Sequence, residues 1–204
     1  MRMNRLVTAF LAGAALTAPM LAAPAFAQER PHHVRGTLES VQGNDLTVKT
    51  AGGATDAVKT DDKTKVFQVS PGQMSDIKDG KFVGITSVEK GGKRVAVEVH
   101  VFDDKLRGLA EGHYPWDLGS EPNMMTNANI AQVESGVGGE TLKLDYKDGT
   151  QMITVPDSAT VVDFTEATPD QLKPGAQVFV VARKENGGDV AIAVVVGNGV
   201  KPPM

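Results

Sequence analysis

The most constraining feature of this sequence is an internal repeat, in which one β-rich unit occurs twice at an offset of about 95 residues. Leu46 in the first copy corresponds to Leu142 in the second, and Gly80 corresponds to Gly175. Within each copy, short runs of alternating apolar and polar residues are separated by Gly-Gly, Asp-Gly or Asn-Gly turns, which is typical of strands and hairpins. The repeat therefore predicts two copies of one small β unit.

Each copy is predicted to contain five short strands, with a short helical turn between the third and the fourth. This is the order of an OB-like barrel, so we expect an all-β chain of two tandem five-stranded OB-like barrels. An open meander or a small sandwich are the alternatives. The predicted domains are residues 34–103 and 128–198, joined by a linker strap (residues 104–127) and followed by a tail (residues 199–204). The predicted strands are residues 34–38, 46–48, 55–60, 82–88 and 93–102, then 129–134, 141–146, 151–155, 177–182 and 190–196.

Residues 1–27 have the pattern of a secretory signal peptide. Two arginines precede the apolar run 6–23, and Ala25-Phe26-Ala27 is a small-x-small cleavage signal. Cleavage before Gln28 is favoured over an uncleaved anchor because prolines interrupt the run. We therefore expect a periplasmic or secreted protein that begins with a flexible N-terminus, residues 28–33, in which His32 and His33 are solvated instead of metal-bound.

Charge and cysteine content exclude several classes of protein. Removing residues 1–27 leaves 19 basic and 25 acidic residues, a net charge of −6, so nucleic acid and anionic membrane surfaces are poor partners. The absence of cysteine excludes a lipid-anchored lipoprotein and any disulfide, so core burial alone must hold the units together. No second long apolar run predicts a membrane span after signal cleavage.

The linker strap collects rare residues and has two interpretations. In the structural interpretation, Tyr114, Pro115 and Trp116 bury against a barrel wall while Met124 and Met125 pack as an adaptable plug. In the alternative, imidazole and thioether groups bind copper or zinc under an indole face, which makes His113, Met124, Met125 and Trp116 the candidate ligands. The structural interpretation is favoured, and no cofactor is expected.

The last predicted strand of the second unit is apolar on both faces, which requires cover on both. The barrel interior covers one face. The linker strap, the first unit or a second copy of the chain in a homodimer would cover the other. The first unit has polar Glu98 and His100 at the corresponding positions, which indicates that the two surfaces have diverged. We expect Trp116 to pack between the units.

Three segments carry a resemblance to a known group of proteins: Val-x-Gly-x-Leu-x-Ser-Val at 34–41, Asp-Ile-Lys-Asp-Gly-Lys-Phe-Val-Gly at 76–84, and Gly-His-Tyr-Pro-Trp-Asp at 112–117. They resemble bacterial exported proteins built from a repeated small β domain of unknown function, some labelled as metal-transport components. The linker set is also loosely similar to the ligands of periplasmic copper carriers, although those ligands lie on strands of one barrel. The resemblance implies fold and location and no active-site residues.

No catalytic constellation is recognisable. The sequence lacks a Gly-x-Ser-x-Gly elbow, a His-Glu-x-x-His helix, a phosphate-binding loop and a cysteine nucleophile. The sequence thus predicts a non-enzymatic, exported binding or scaffolding protein of the bacterial envelope, whose partner is an envelope protein or a small ligand. The alternatives are a periplasmic copper or zinc carrier and an enzyme acting on an envelope glycan or peptide, for which an open cleft lined by several acids would be required.

Overall fold

A computed structural model describes residues 31–202, and the predicted signal peptide lies outside the described residues. Among these residues no helix is long and apolar enough to cross a membrane. The chain is all-β, as predicted, with three 3-10 turns at Met74–Asp76, Asp104–Leu106 and Pro169–Gln171. The strands are β1 His32–Gln42, β2 Asp45–Thr50, β3 Thr55–Lys59, β4 Lys65–Pro71, β5 Phe82–Lys90, β6 Lys93–Phe102, β7 Gly112–Trp116, β8 Asn123–Gly136, β9 Gly139–Tyr146, β10 Gly149–Pro156, β11 Thr160–Glu166, β12 Gln177–Glu185 and β13 Gly188–Gly197.

Backbone pairing closes two five-stranded rings. In the first ring β1 pairs with β2, β2 with β3, β3 with β13, β13 with β12, and β12 with β1. In the second ring β8 pairs with β9, β9 with β10, β10 with β6, β6 with β5, and β5 with β8. Each ring is closed by one parallel contact, β3 with β13 or β10 with β6, so neither ring has a free edge along these strands.

The predicted tandem arrangement, with one barrel per half of the chain, is not confirmed. The first ring takes β1 to β3 from the first half and the β12–β13 hairpin from the second. The second ring takes β8 to β10 from the second half and the β5–β6 hairpin from the first. The two halves of the chain have thus exchanged the hairpins β5–β6 and β12–β13. Either hairpin has the alternating pattern needed to close either ring, so local pattern does not determine the partner.

A central ribbon, formed by β4 and β11, joins the two rings. These two strands were not predicted from the sequence. The two strands pair with each other antiparallel, while β4 pairs parallel with β13 and β11 pairs parallel with β6. Both have the same order of exposed and buried positions along the strand. Because of this extra strand, the short helical turn lies between the fourth and fifth strands of each repeat instead of the third and fourth.

The apolar side chains form three clusters, one inside each ring and one between them. The clusters inside the rings contain residues such as Leu38 and Val194 in the first, and Ile85 and Leu142 in the second. The third, here called the central cluster, packs on the ribbon and draws residues from both halves: Phe67, Val69, Phe82, Phe102, Leu106, Val162, Phe164, Phe179 and Val195.

The central cluster covers the second face of β13. Val194 and Val196 point into the first ring, whereas Val195 packs in the central cluster with Phe82 and Phe102 of the first half. Trp116 and Leu109 of the linker strap pack against the same cluster. Of the three covers considered from sequence, the strap and the first half are therefore the ones in contact with it.

The first described residues correct one prediction. Strand β1 begins at His32, so His32 and His33 belong to a strand and not to a flexible N-terminus. His33 pairs with Val181 of β12, and His32 pairs with Ala182. The strand extends this far because the β12 partner, supplied by the other half of the chain, offers backbone groups up to that point.

Candidate functional site

The linker strap contains regular secondary structure and is not simply a loop. After the 3-10 turn at Asp104–Leu106, strand β7 pairs antiparallel with the first part of β8. Strand β8 starts at Asn123, so the last residues of the predicted strap already belong to the second ring. Asn123 fixes the turn before β8, since its Nδ2 donates to the carbonyl oxygens of Leu118 and Glu121, both at 2.7 Å.

Trp116 packs between the halves of the chain, at the position expected from sequence. Its ring centroid lies 4.5 Å from that of His33 on β1 and 6.0 Å from that of Phe179 on β12. Tyr114 contacts it edge-on at 6.1 Å. The indole is half-buried, and its Nε1 is buried without a hydrogen-bond partner. The strap thus holds an aromatic lid over the central cluster.

A polar clasp, formed by His33, Arg35 and Asp117, fastens the end of the strap to β1. Asp117 Oδ1 lies 2.8 Å from His33 Nδ1 and accepts from the Arg35 guanidinium at 2.7 Å. Burial raises the pKa of Asp117, but hydrogen bonds from Arg35 and His33 together bring it below its usual value. Burial lowers the pKa of His33, and this effect exceeds the opposing one from Asp117.

Acid is expected to destabilise the folded chain through two histidines. Burial also lowers the pKa of His113, assisted by Arg94. An unfolded histidine binds a proton near pH 6.5, which these folded histidines bind only at lower pH. Their contribution to the free energy of unfolding is therefore fully present above about pH 6.5 and is lost as the pH falls through their pKa values in the folded chain. We expect a lower Tm at pH 5 than at pH 7.5 by calorimetry. The His33→Gln/His113→Gln variant should show a smaller difference, and an unchanged difference would contradict this assignment.

An apolar pocket of about 240 Å³ lies beneath the strap. Its wall combines the strap, the ribbon and the outer faces of both exchanged hairpins. The lining residues are Phe67, His100, Phe102, Leu109, Ala110, Tyr114, Trp116, Met125, Asn127, Phe164, Phe179, Val181, Ile192, Ala193 and Val195. No lysine or arginine is among them.

A buried polar group lies at the wall of this pocket. Glu98 and His100 on β6 are only 2% and 1% exposed, and His100 Nε2 lies 3.3 Å from Glu98 Oε1. This nitrogen is close enough for an ion pair but does not have hydrogen-bond geometry. The hydroxyl of Thr86, on the neighbouring strand β5, donates to the same Glu98 oxygen at 2.9 Å.

Three lining residues each keep a buried polar atom without a partner: His100 Nε2, Trp116 Nε1 and Asn127 Oδ1. The amide orientation of Asn127 follows from its donor group, which contacts the carbonyl oxygens of Leu109 and Ala110 at 3.3 and 3.1 Å and the Tyr114 hydroxyl at 3.1 Å. Since unpaired buried polar atoms cost free energy, three of them around one apolar pocket make it a candidate binding site.

The glycine at position 84 makes room for this group. A Cβ placed on Gly84 would lie 2.6 Å from Asn127 Oδ1, 2.9 Å from Phe102 Cε2 and 3.3 Å from His100 Nδ1. These side chains therefore pack against the backbone of Gly84, and a larger residue at position 84 would clash with them. In the other half, the corresponding strand position holds Phe179, by the offset of about 95 residues.

The four candidate metal ligands of the strap are divided between the two faces of the β7–β8 pair, with His113 and Met124 on one face and Met125 and Trp116 on the other. In an antiparallel pair, opposite residues share a face and neighbours alternate, so Met124 and Met125 project from opposite faces of β8. Met125 is buried beside Tyr114 and lines the pocket, as does Trp116. His113 instead contacts the Thr126 hydroxyl at 2.8 Å and stacks near Tyr146. Within residues 31–202 no group of three or more His, Cys, Asp or Glu side chains could hold a metal ion.

A second, polar cleft of about 350 Å³ is lined by three aspartates, Asp76, Asp103 and Asp163, with Lys78 and Lys81 beside them. Burial and the nearby charge of Asp76 raise the pKa of Asp163, while Lys81 opposes the rise. Acid–base catalysis uses carboxyl groups whose environments separate their pKa values. This cleft is the part of the described chain that comes closest to the enzyme alternative.

The residues that sequence analysis missed are Glu98 and His100. They were interpreted as surface positions because acidic and imidazole side chains usually face water. The internal repeat carried a usable signal, since the corresponding residues in β13 are Ala193 and Val195, which pack on the central cluster. Polar residues at positions where the same strand is apolar in the other copy indicate a specific role in one half.

The comparisons with known proteins give no family: no family model matches the chain, and neither a curated protein nor a solved structure matches it.

Proposed function

We propose that this protein is an exported binding module of the bacterial envelope that holds a small, mainly apolar molecule beneath the Trp116 strap. The signal-like segment 1–27 supports export. The pairing of the strands into two five-stranded rings supports two OB-like barrels with exchanged hairpins. The resemblance of the sequence to exported repeat proteins agrees with a location in the envelope. The observation that carries the binding function is the apolar pocket with unpaired polar atoms on His100, Trp116 and Asn127.

The size of the pocket limits the ligand. Pockets for drug-sized ligands hold about 300–1,000 Å³, so about 240 Å³ suits a molecule with a single ring or a short chain. The aromatic and aliphatic wall supplies affinity through burial of apolar surface. A few unpaired polar atoms supply orientation, which is the usual composition of a small-molecule site.

Filling the pocket is expected to abolish binding without unfolding the chain. Toluene at about 100 times its Kd should stabilise the native protein by about 2.7 kcal/mol and raise its Tm. Ala193 lines the pocket and is only partly buried, so Ala193→Phe should occupy the space and remove the rise. Differential scanning calorimetry with and without toluene measures both.

The matched control is Ala51→Phe, which adds the same ring at an exposed turn position. This variant should keep the full rise in Tm with toluene. An equal rise in the Ala193→Phe variant would place binding elsewhere and contradict the proposed site. Because Trp116 is the only tryptophan, a change in its emission on adding toluene gives a second, independent measurement at the pocket.

A further inference from the structure

The polar atoms of the pocket differ in what they offer a ligand. An indole N–H only donates, so Trp116 Nε1 requires an acceptor. An amide oxygen only accepts, so Asn127 Oδ1 requires a donor, while the two Nδ2 hydrogens are shared among the carbonyl oxygens of Leu109 and Ala110 and the Tyr114 hydroxyl. A ligand that satisfies both must carry a group that donates and accepts, which an aliphatic hydrocarbon or an ether does not.

The imidazole adds a third polar atom to the same wall. His100 lines the pocket, and its Nε2, which lies 3.3 Å from Glu98 Oε1 but outside hydrogen-bond geometry, has no hydrogen-bond partner. A hydroxyl suits this nitrogen in either role, because a hydroxyl can both donate and accept.

Charge excludes an anionic ligand. No lysine or arginine lines the pocket, and the Glu98 carboxylate is buried beside His100. A carboxylate ligand would bring a second negative charge into an apolar site without a cation to pair with it, which is costly. A cation would find no free carboxylate either, because Glu98 already contacts Thr86 and His100, so the ligand is uncharged at neutral pH.

We propose that the ligand is an uncharged single-ring aromatic alcohol, a substituted phenol, a conclusion that rests on the proposed binding function. A phenol hydroxyl has one hydrogen for Asn127 Oδ1 and lone pairs for the Trp116 N–H. Its ring matches a wall that includes Phe67, Phe102 and Phe164. A cavity of about 150 Å³ is sufficient for benzene, so about 240 Å³ leaves room for substituents on the ring.

Three ligands of nearly equal shape test this assignment on the full mature chain: 4-methylphenol, toluene and 4-methylbenzoate. They differ only in carrying a hydroxyl, no polar group or a carboxylate. Isothermal titration calorimetry at pH 7 is expected to give a Kd for 4-methylphenol at least about tenfold below that for toluene, because only the hydroxyl pairs the buried polar atoms. The Kd for 4-methylbenzoate should be the weakest of the three.

The variants separate the polar group from the pocket itself. Asn127→Leu removes the acceptor, so its preference for 4-methylphenol over toluene should shrink to within about threefold while toluene still binds. Should this variant not fold, since Asn127 also holds the strap, His100→Leu provides the same comparison from the imidazole. Retention of the full preference in whichever variant folds would overturn the role assigned to these polar atoms.

The outcomes also separate the ligand class from the binding function. Equal affinity for toluene and 4-methylphenol, or tighter binding of 4-methylbenzoate, would overturn the phenol assignment and leave the apolar binding site in place. Failure of all three ligands to bind the wild-type chain would overturn both. Loss of all binding in Ala193→Phe, together with the tenfold preference in the wild type, would support both.

Discussion

A single cut in the linker strap is expected to leave the two halves of the chain in one particle. A protease site placed between Gly119 and Ser120 lies in an exposed loop between β7 and β8. After cleavage, the first fragment keeps β1 to β7 and the second keeps β8 to β13. Each ring then contains strands of both fragments, so separation would require breaking both rings and the central ribbon. The fragments should co-elute by size exclusion at roughly 1 µM, as obligate partners do.

The cut also changes how stability depends on concentration. In the intact chain, unfolding is unimolecular and its Tm is independent of protein concentration. In the cut protein, folding joins two fragments, so the Tm should rise with concentration. The uncleaved variant carrying the same protease site is the control for the inserted sequence. Elution of two separate folded fragments under native conditions would show that each half closes its own ring, as in the tandem arrangement.

The sequence predicts which segments are strands far better than it predicts which strands pair. Alternation of apolar and polar residues identified the hairpins β5–β6 and β12–β13, because each strand shows one face to a core. It could not assign them to a ring, since Val99 and Val101 in one hairpin and Val194 and Val196 in the other present the same apolar face. Pairing depends on contacts across the whole chain, which local periodicity does not contain.

The ribbon strands were missed for a different reason. Residues 65–71 and 160–166 are short and end at proline or glutamate, and the turns that lead into them, at 61–64 and 156–159, do not pair them with the strand before. Their partners are each other and the distant strands β13 and β6. Without a hairpin turn, the usual short-range signal of pairing is absent.

The candidate site was predicted in part. Trp116 packs against the central cluster and Tyr114 lines the pocket, whereas Pro115, which was expected to bury with them, is exposed. The opposing wall of the pocket could not be predicted, since it forms only when β6 and β13 meet across the ribbon. Glu98 and His100 become buried by that contact, and nothing in their own strand indicates it.

Breaking the buried pair on one side is expected to destabilise the chain more than removing it altogether. His100→Leu leaves the Glu98 carboxylate 2% exposed with only the Thr86 hydroxyl donating to it. Glu98→Val leaves the imidazole and the same hydroxyl without their acceptor. Each single substitution should lower the free energy of unfolding by about 2–4 kcal/mol, because an uncompensated buried polar group remains.

The double variant Glu98→Val/His100→Leu should lie within about 1 kcal/mol of the wild type or above it, since apolar residues of similar volume replace buried ion pairs at little cost. Copying Ala193 and Val195 from the other half would be a poorer choice, because Gly84 stands where that half has Phe179, and the smaller side chains would leave a cavity. Urea unfolding of the four proteins gives the coupling energy directly.

A coupling energy of about 2 kcal/mol or more between the two positions would establish that Glu98 and His100 act as a pair. Because the apolar double variant would be equally stable, the pair would not be needed for stability. The stable double variant then becomes the decisive protein for function: it keeps the fold and the pocket wall while lacking the polar group. Such a chain should still bind toluene but no longer prefer a phenol. Additive losses, with the double variant about 5 kcal/mol or more below the wild type, would instead mean that the pair holds the two rings together.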